Sequence, residues 1–135
     1  MSYPAMKEAG VDIRLGTDGS ASNNSLDLRA EAKAASLVQR HDHWDARILG
    51  PEETWDLATK GSQDWVTWDL SDIRMRPFGR DGRRLLSNLI YSGAEVLDVF
   101  VEGEAVRRDG RTLTLDEDMV AEKLEESVTE YYQDV

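Results

Sequence analysis

Val11-Asp12-Ile13-Arg14-Leu15-Gly16-Thr17-Asp18-Gly19-Ser20-Ala21-Ser22-Asn23-Asn24 is the stretch whose reading decides the fold. Val11, Ile13 and Leu15 alternate with polar residues, which predicts a short strand with one face buried. Gly16 ends that strand, and Thr17-Asp18-Gly19 sets a carboxylate at its carboxyl end. Five small or amide-bearing residues follow, the chemistry of a tight polar loop. Ligands and catalytic groups of α/β proteins gather at the carboxyl ends of strands. On composition alone, a single strand-end Asp more often serves as a helix cap or turn residue.

Upstream of this stretch, residues 3–10 read as the tail of a helix stopped by Gly10. Helix, glycine and strand form the αβ step of a barrel or a doubly wound sheet. A parallel strand without a neighbour leaves its backbone groups unpaired. Downstream, residues 25–40 predict a helix with Ser25 as N-cap. Leu26, Ala30, Ala34, Leu37 and Val38 form its packing face, and Arg29, Glu31 and Lys33 lie outside it. Gly50-Pro51-Glu52-Glu53 opens another helix that runs to Lys60-Gly61.

His41-Asp42-His43 has the spacing of a zinc pair, with Asp45 close by, so a metal site there is one reading. Exposed histidines in a polar segment between two helices are the simpler one. Residues 64–70, rich in tryptophan and β-branched side chains, predict a strand in which the tryptophans supply buried area. Residues 71–83 read as a polar loop. Arg74, Arg76, Arg80, Arg83 and Arg84 there suit an anion or, more simply, internal ion pairs. A short helical turn at 85–91 leads to a mostly buried strand at 94–102. Turns at Glu102-Gly103 and Asp109-Gly110 then predict hairpins. Asp116 caps a last helix with Val120, Leu124, Val128 and Tyr131 along one side and glutamates along the other.

The chain has 135 residues, 27 acidic against 16 basic, for a formal charge of −11. That length suits one modest domain burying roughly two thirds of its unfolded surface. The acidic balance argues against a nucleic-acid backbone as partner. Arginine outnumbers lysine twelve to four. An acid-rich, lysine-poor surface implies a salt-loving source, because self-repulsion at this charge needs screening. There are no cysteines, hence no disulfides or thiolate metal sites. The absence of a long apolar run or a signal-like start leads to the expectation of a cytoplasmic protein without a membrane span.

Gly16-Thr17-Asp18-Gly19-Ser20-Ala21-Ser22-Asn23-Asn24 resembles the segment that closes the barrel in the amidohydrolase superfamily, in the branch of adenosine-derivative deaminases and triazine chlorohydrolases. Glu53 to Thr59 is similar to the helix that follows. Val99, Val101, Gly103, Val106, Asp109 and Gly110 fill the pattern with which these enzymes finish their small β-domain. Lys60 to Leu70 joins that helix directly to the tail of a later family signature, so a helical turn and one strand look deleted. The resemblance implies an α/β chain that is the C-terminal fragment of a (β/α)8 barrel. It would comprise a barrel remnant at 1–61, part of a composite β-domain at 62–115 and a C-terminal helix at 116–135.

The same resemblance implies a metal-dependent hydrolase or deaminase acting on carbon–nitrogen bonds of cyclic amidines such as adenosine derivatives. One zinc or iron ion, held by histidines and the final strand's aspartate, lowers the pKa of its bound water in such enzymes. The aspartate helps take the proton. Asp18 matches that aspartate and is the one catalytic and metal-binding residue that carries over. The family's His-x-His belongs upstream of it, and no histidine precedes Asp18 here. This chain alone is therefore expected neither to retain the metal nor to catalyse. Three readings follow: half of a split enzyme that needs an N-terminal partner to act on its small substrate, a non-catalytic binding or self-associating domain, or a new metal site at His41 and His43.

Overall fold

A computed structural model describes residues 2–80 and 82–133. Met1, Asp81, Asp134, Val135 and the Arg83 side chain, one of the five arginines read as a cluster, lie outside the described part. The element order is helix α1 (Tyr3–Glu8), α2 (Leu28–His43), α3 (Pro51–Thr59), strand β1 (Trp65–Trp68), a 3-10 turn (Ile73–Met75), α4 (Gly82–Ser92), β2 (Val96–Val101), β3 (Glu104–Arg108), β4 (Arg111–Thr112) and α5 (Glu117–Gln133). The chain forms two compact units, one from 2–62 and 70–94, the other from 63–69 and 95–133.

The first unit is helical. Ser2 caps α1 by accepting from the Ala5 N–H, and Gly10 adopts φ 72° beyond its end. Asp27, not Ser25, caps α2: its carboxylate accepts from the Arg29 and Ala30 N–H groups. Aspartate there also meets the positive end of the helix dipole, while Ser25 is left to accept from the Asp27 N–H. The helix runs on to His43, so the two histidines end a helix and do not sit in a loop.

The packing face of α2 also differs from the expected one. Ala32 and Ser36 are its fully buried residues, whereas Leu26, Leu37 and Val38 are exposed. Small side chains let α2 approach closely, and the approach is fixed by polar bonds. The Ser36 hydroxyl donates to the Leu49 carbonyl at 2.9 Å and lies 2.7 Å from the Tyr91 hydroxyl. Arg40 donates to the carbonyls of Ile48 and Leu49. Leu49, Met75 and Ile90 fill the centre with Thr54, whose hydroxyl bonds the Leu49 and Gly50 carbonyls. The residues read as a short turn at 85–91 belong to an eleven-residue helix, α4.

The expected strand at 11–15 is absent. Of the expected buried face, Ile13 and Leu15 are half-buried but Val11 is exposed, and among the described residues nothing pairs with the segment. Two backbone bonds hold its ends, from Val11 N–H to the Met6 carbonyl and from Leu15 N–H to the Leu57 carbonyl. A strand exists only with a partner in register, and the described residues offer none.

The second unit is a four-stranded antiparallel sheet in the order β1-β2-β3-β4, with Val66 opposite Val99 and Phe100 opposite Ala105. Its two hairpin turns carry positive φ at both central residues, Glu102-Gly103 and Asp109-Gly110. That is the primed-turn geometry that asparagine, aspartate and glycine favour. Asp98 staples the unit: its carboxylate accepts from the Thr67 hydroxyl at 2.8 Å and from the Asp109 N–H at 3.0 Å. The Asp109 N–H, then Thr67, holds the Asp98 carboxyl below its usual range. The tryptophans bury less than expected. Trp65 is half exposed, its ring stacked 3.7 Å above Phe100. Asp116 caps α5 as read from the sequence, bonding the Met119 N–H, and the stripe Val120, Leu124, Val128 and Tyr131 is exposed. No helix among the described residues is long and apolar enough to cross a membrane.

Candidate functional site

Asp18 stands in the left-handed region at φ 57°. Few residues without a glycine's freedom adopt it, and aspartate is among those that do. Its Oδ1 accepts from the Gly19 N–H at 2.8 Å, while its main-chain carbonyl accepts from the Thr17 hydroxyl at 3.1 Å. Among the described residues Oδ2 has no partner, and the side chain is exposed. The loop beyond it is tied back on itself: the Ser22 and Asn23 N–H groups both bond the Gly19 carbonyl.

One brace of this loop is not evident in the sequence. Asn23 Nδ2 donates to the Thr17 carbonyl at 3.1 Å and to Glu31 Oε1 at 2.6 Å. Glu31, placed by periodicity on the solvent side of α2, therefore fastens the loop that carries Asp18. It lies in the first turn of α2, four residues after the Asp27 cap, and no local pattern marks such a long-range acceptor. Loop, brace and helix start hold the carboxylate in place without burying it.

The donor set for a metal is small. Among the described residues no three His, Cys, Asp or Glu side chains are grouped as a metal site. His41 and His43, two apart on a helix, do not share a face. His43 Nε2 lies 3.1 Å from the Ser2 hydroxyl, and the His41 ring lies 5.8 Å from that of Trp44. Asp45, the oxygen donor nearby, is held by Arg47 through hydrogen bonds that pull its carboxyl down to about 2. In the arginine segment, Arg74 makes a bidentate pair with Asp72, and the Arg76 guanidinium lies 4.8 Å from the Phe78 ring centre. Arg74 and Arg76 thus have internal partners.

A zinc or iron ion normally takes three or four protein ligands. Asp18 supplies one carboxylate, and the described residues grouped around it do not fit such an ion.

Comparison with known proteins gives the site its context. No protein-family model matches the chain. The chain is 31% identical to a 5'-deoxyadenosine deaminase of Methanocaldococcus jannaschii, covering 91% of this chain and 32% of the relative. That alignment, 136 residues long, exceeds the 135 of the whole chain, so the relative carries residues with no counterpart here. It is 35% identical to a 5-methylthioadenosine/S-adenosylhomocysteine deaminase of Bacillus thuringiensis, over 86% of this chain and 30% of that protein. Among solved structures, a zinc-bound adenosine deaminase from Xanthomonas campestris superposes with a TM-score of 0.79 at 27% identity, over 90% of this chain and 31% of that one. The chain thus spans about a third of the length of these relatives. With its helices and small antiparallel sheet, the chain is similar in sequence and fold to part of these deaminases.

Proposed function

We propose that this chain is the C-terminal part of an amidohydrolase-type deaminase acting on adenosine derivatives, and that it is inactive by itself. The observation that carries the reading is Asp18. It lies in the Gly-Thr-Asp-Gly segment, at a left-handed backbone position, braced by Asn23 and Glu31, with Oδ2 directed to nothing else among the described residues. A carboxylate fixed in this way can accept a proton at Oδ2 or bind a cation, but it cannot by itself assemble a hydrolytic centre. The histidines that would share a cation belong to the two thirds of the family's length outside this chain.

Complementation tests this. The purified chain, supplied with zinc or iron and 5'-deoxyadenosine, is expected to release no ammonia above background. Mixed with the N-terminal two thirds of the Methanocaldococcus deaminase, it is expected to restore turnover, and D18N is expected to restore none. Turnover by the chain alone overturns its inactivity. Equal restoration by D18N overturns the role of Asp18.

A further inference from the structure

Val11-Asp12-Ile13-Arg14-Leu15 is a strand sequence without a strand, and its free edge has a specific complement. From Asp12 to Leu15 exposed and half-buried residues alternate, while Val11 is exposed, and in such an extended segment successive backbone groups point to opposite sides. The N–H groups of Val11 and Leu15 are used inside the unit, on the Met6 and Leu57 carbonyls. Those of Asp12 and Arg14 have the opposite parity. Neither they nor the carbonyls of the same residues have a backbone partner among the described residues. An edge with unpaired N–H and C=O groups is a template for another strand.

We propose that the partner is a second copy of this chain, paired antiparallel about Ile13. The sequence is self-complementary in that register. Asp12 falls opposite Arg14 of the second copy and Arg14 opposite its Asp12, in the two pairs that exchange hydrogen bonds. Val11 falls opposite Leu15, and Ile13 faces itself in a close pair whose N–H groups point away from the partner. The parity of the existing bonds is the one this register requires, since Val11 and Leu15 point their N–H groups inward. Opposite charges across a ladder stabilise it, and any one-residue slip sets apolar against charged residues.

The second copy also covers apolar surface. Ile13 and Leu15 line an open groove of about 410 Å³ together with Ala35, Val38, Leu49 and Leu57. Val38 at its rim is 60% exposed. The paired strand lays its Val11 and Leu15 along the same face as Ile13, beside this rim. Asp12 and Arg14, with side chains 57% exposed, are free to re-pair. At present Asp12 bonds Lys60 and Arg14, contacts exposed enough to exchange for the cross-strand ones. This pairing stands independently of the deaminase reading.

Light scattering of the full chain at about 50 µM in about 0.3 M KCl tests it. The expected mass is twice 15.2 kDa. D12R and R14D, each setting like charges opposite one another, are expected to weaken self-association at least tenfold. Mixed one to one they are expected to form a heterodimer, because the two arginines of D12R then face the two aspartates of R14D. I13C, in a chain with no other cysteine, is expected to cross-link between copies on mild oxidation, since the close antiparallel pair has a Cα separation suited to a disulfide. The cross-link also decides the case if the charge variants unfold by circular dichroism. A monomeric wild type, a dimer indifferent to D12R and R14D, or no I13C cross-link overturns the proposal. So does a chain that stays monomeric alone and joins the N-terminal part of the relative one to one.

Discussion

Two stretches of this chain have strand-forming sequence, and only one of them forms strands. Residues 96–112 fold back twice through tight turns, so β2, β3 and β4 pair with each other within seventeen residues of chain. Residues 11–15 run between a glycine stop and a glycine turn, with no strand beside them among the described residues. Apolar β-branched residues suit both stretches to a strand. Such sequence becomes a β-ladder only where a turn brings a complementary edge into register, because the ladder's stability lies in the paired backbone groups. The hairpin supplies its own partner, and among the described residues the Asp18 segment has none.

Substitutions measure how far this difference reaches. Ile90 is fully buried in the helical unit, and Ile90→Ala is expected to cost about 3 kcal/mol by urea denaturation. Ile13→Ala, on the open segment, is expected to cost about 1 kcal/mol or less because its site is already half solvated. Equal losses would mean that the segment is packed as tightly as the centre.

Charge acts on both regions at once. A net charge of −11 on a chain this size is expected to raise the melting midpoint by several degrees between about 0.1 M and about 2 M KCl, as repulsion is screened. Equal midpoints refute the salt-loving reading. The turns separate the regions again. Gly103 sits at φ 85° in a primed turn, so Gly103→Val is expected to cost about 1–2 kcal/mol. Gly16, without a positive φ and with open space around its Cβ position, is expected to tolerate alanine within about 0.5 kcal/mol.

The smallest effect concerns acid. Burial raises the Glu53 carboxyl, but hydrogen bonds from Lys7 and Tyr3 outweigh it and leave it below its ordinary value. A depressed carboxyl contributes stability above its unfolded value of 4.5, lost as pH falls through the lower folded one. Glu53→Gln is therefore expected to cost about 0.5 kcal/mol at neutral pH, vanishing in acid. A cost that is the same at pH 7 and well below the carboxylate range shows that the ion pair contributes nothing.

Much of the fold was legible in advance because local chemistry decided it. Gly10 stops α1, Pro51 opens α3, Asp109-Gly110 turns a hairpin and Asp116 caps α5, each by a rule that needs no distant contact. The misreadings fall where distant contacts compete. Ser25 and Asp27 both suit a cap, and the wider setting chose Asp27. The apolar residues of α2 looked like its packing face, yet the helix docks through Ala32 and Ser36, since close approach and the Ser36 bond to Leu49 outweigh the area of Leu37 and Val38. At the candidate site Asp18 was legible from its motif. Glu31 was not, because an acceptor reaching from a helix to a loop eight residues back leaves no periodic mark.

By itself, the sequence determined the helices, the turns, the acidic surface and the kinship carried by Gly-Thr-Asp-Gly, all of which rest on interactions between near neighbours in the chain. Only the tertiary structure decided that 11–15 is no strand, that α2 turns its leucine outward and that Asp18 is braced yet alone among the described residues. Pairing, docking and ligand sets need groups far apart in sequence to meet, and here one partner of each is either chosen by packing or not in the chain.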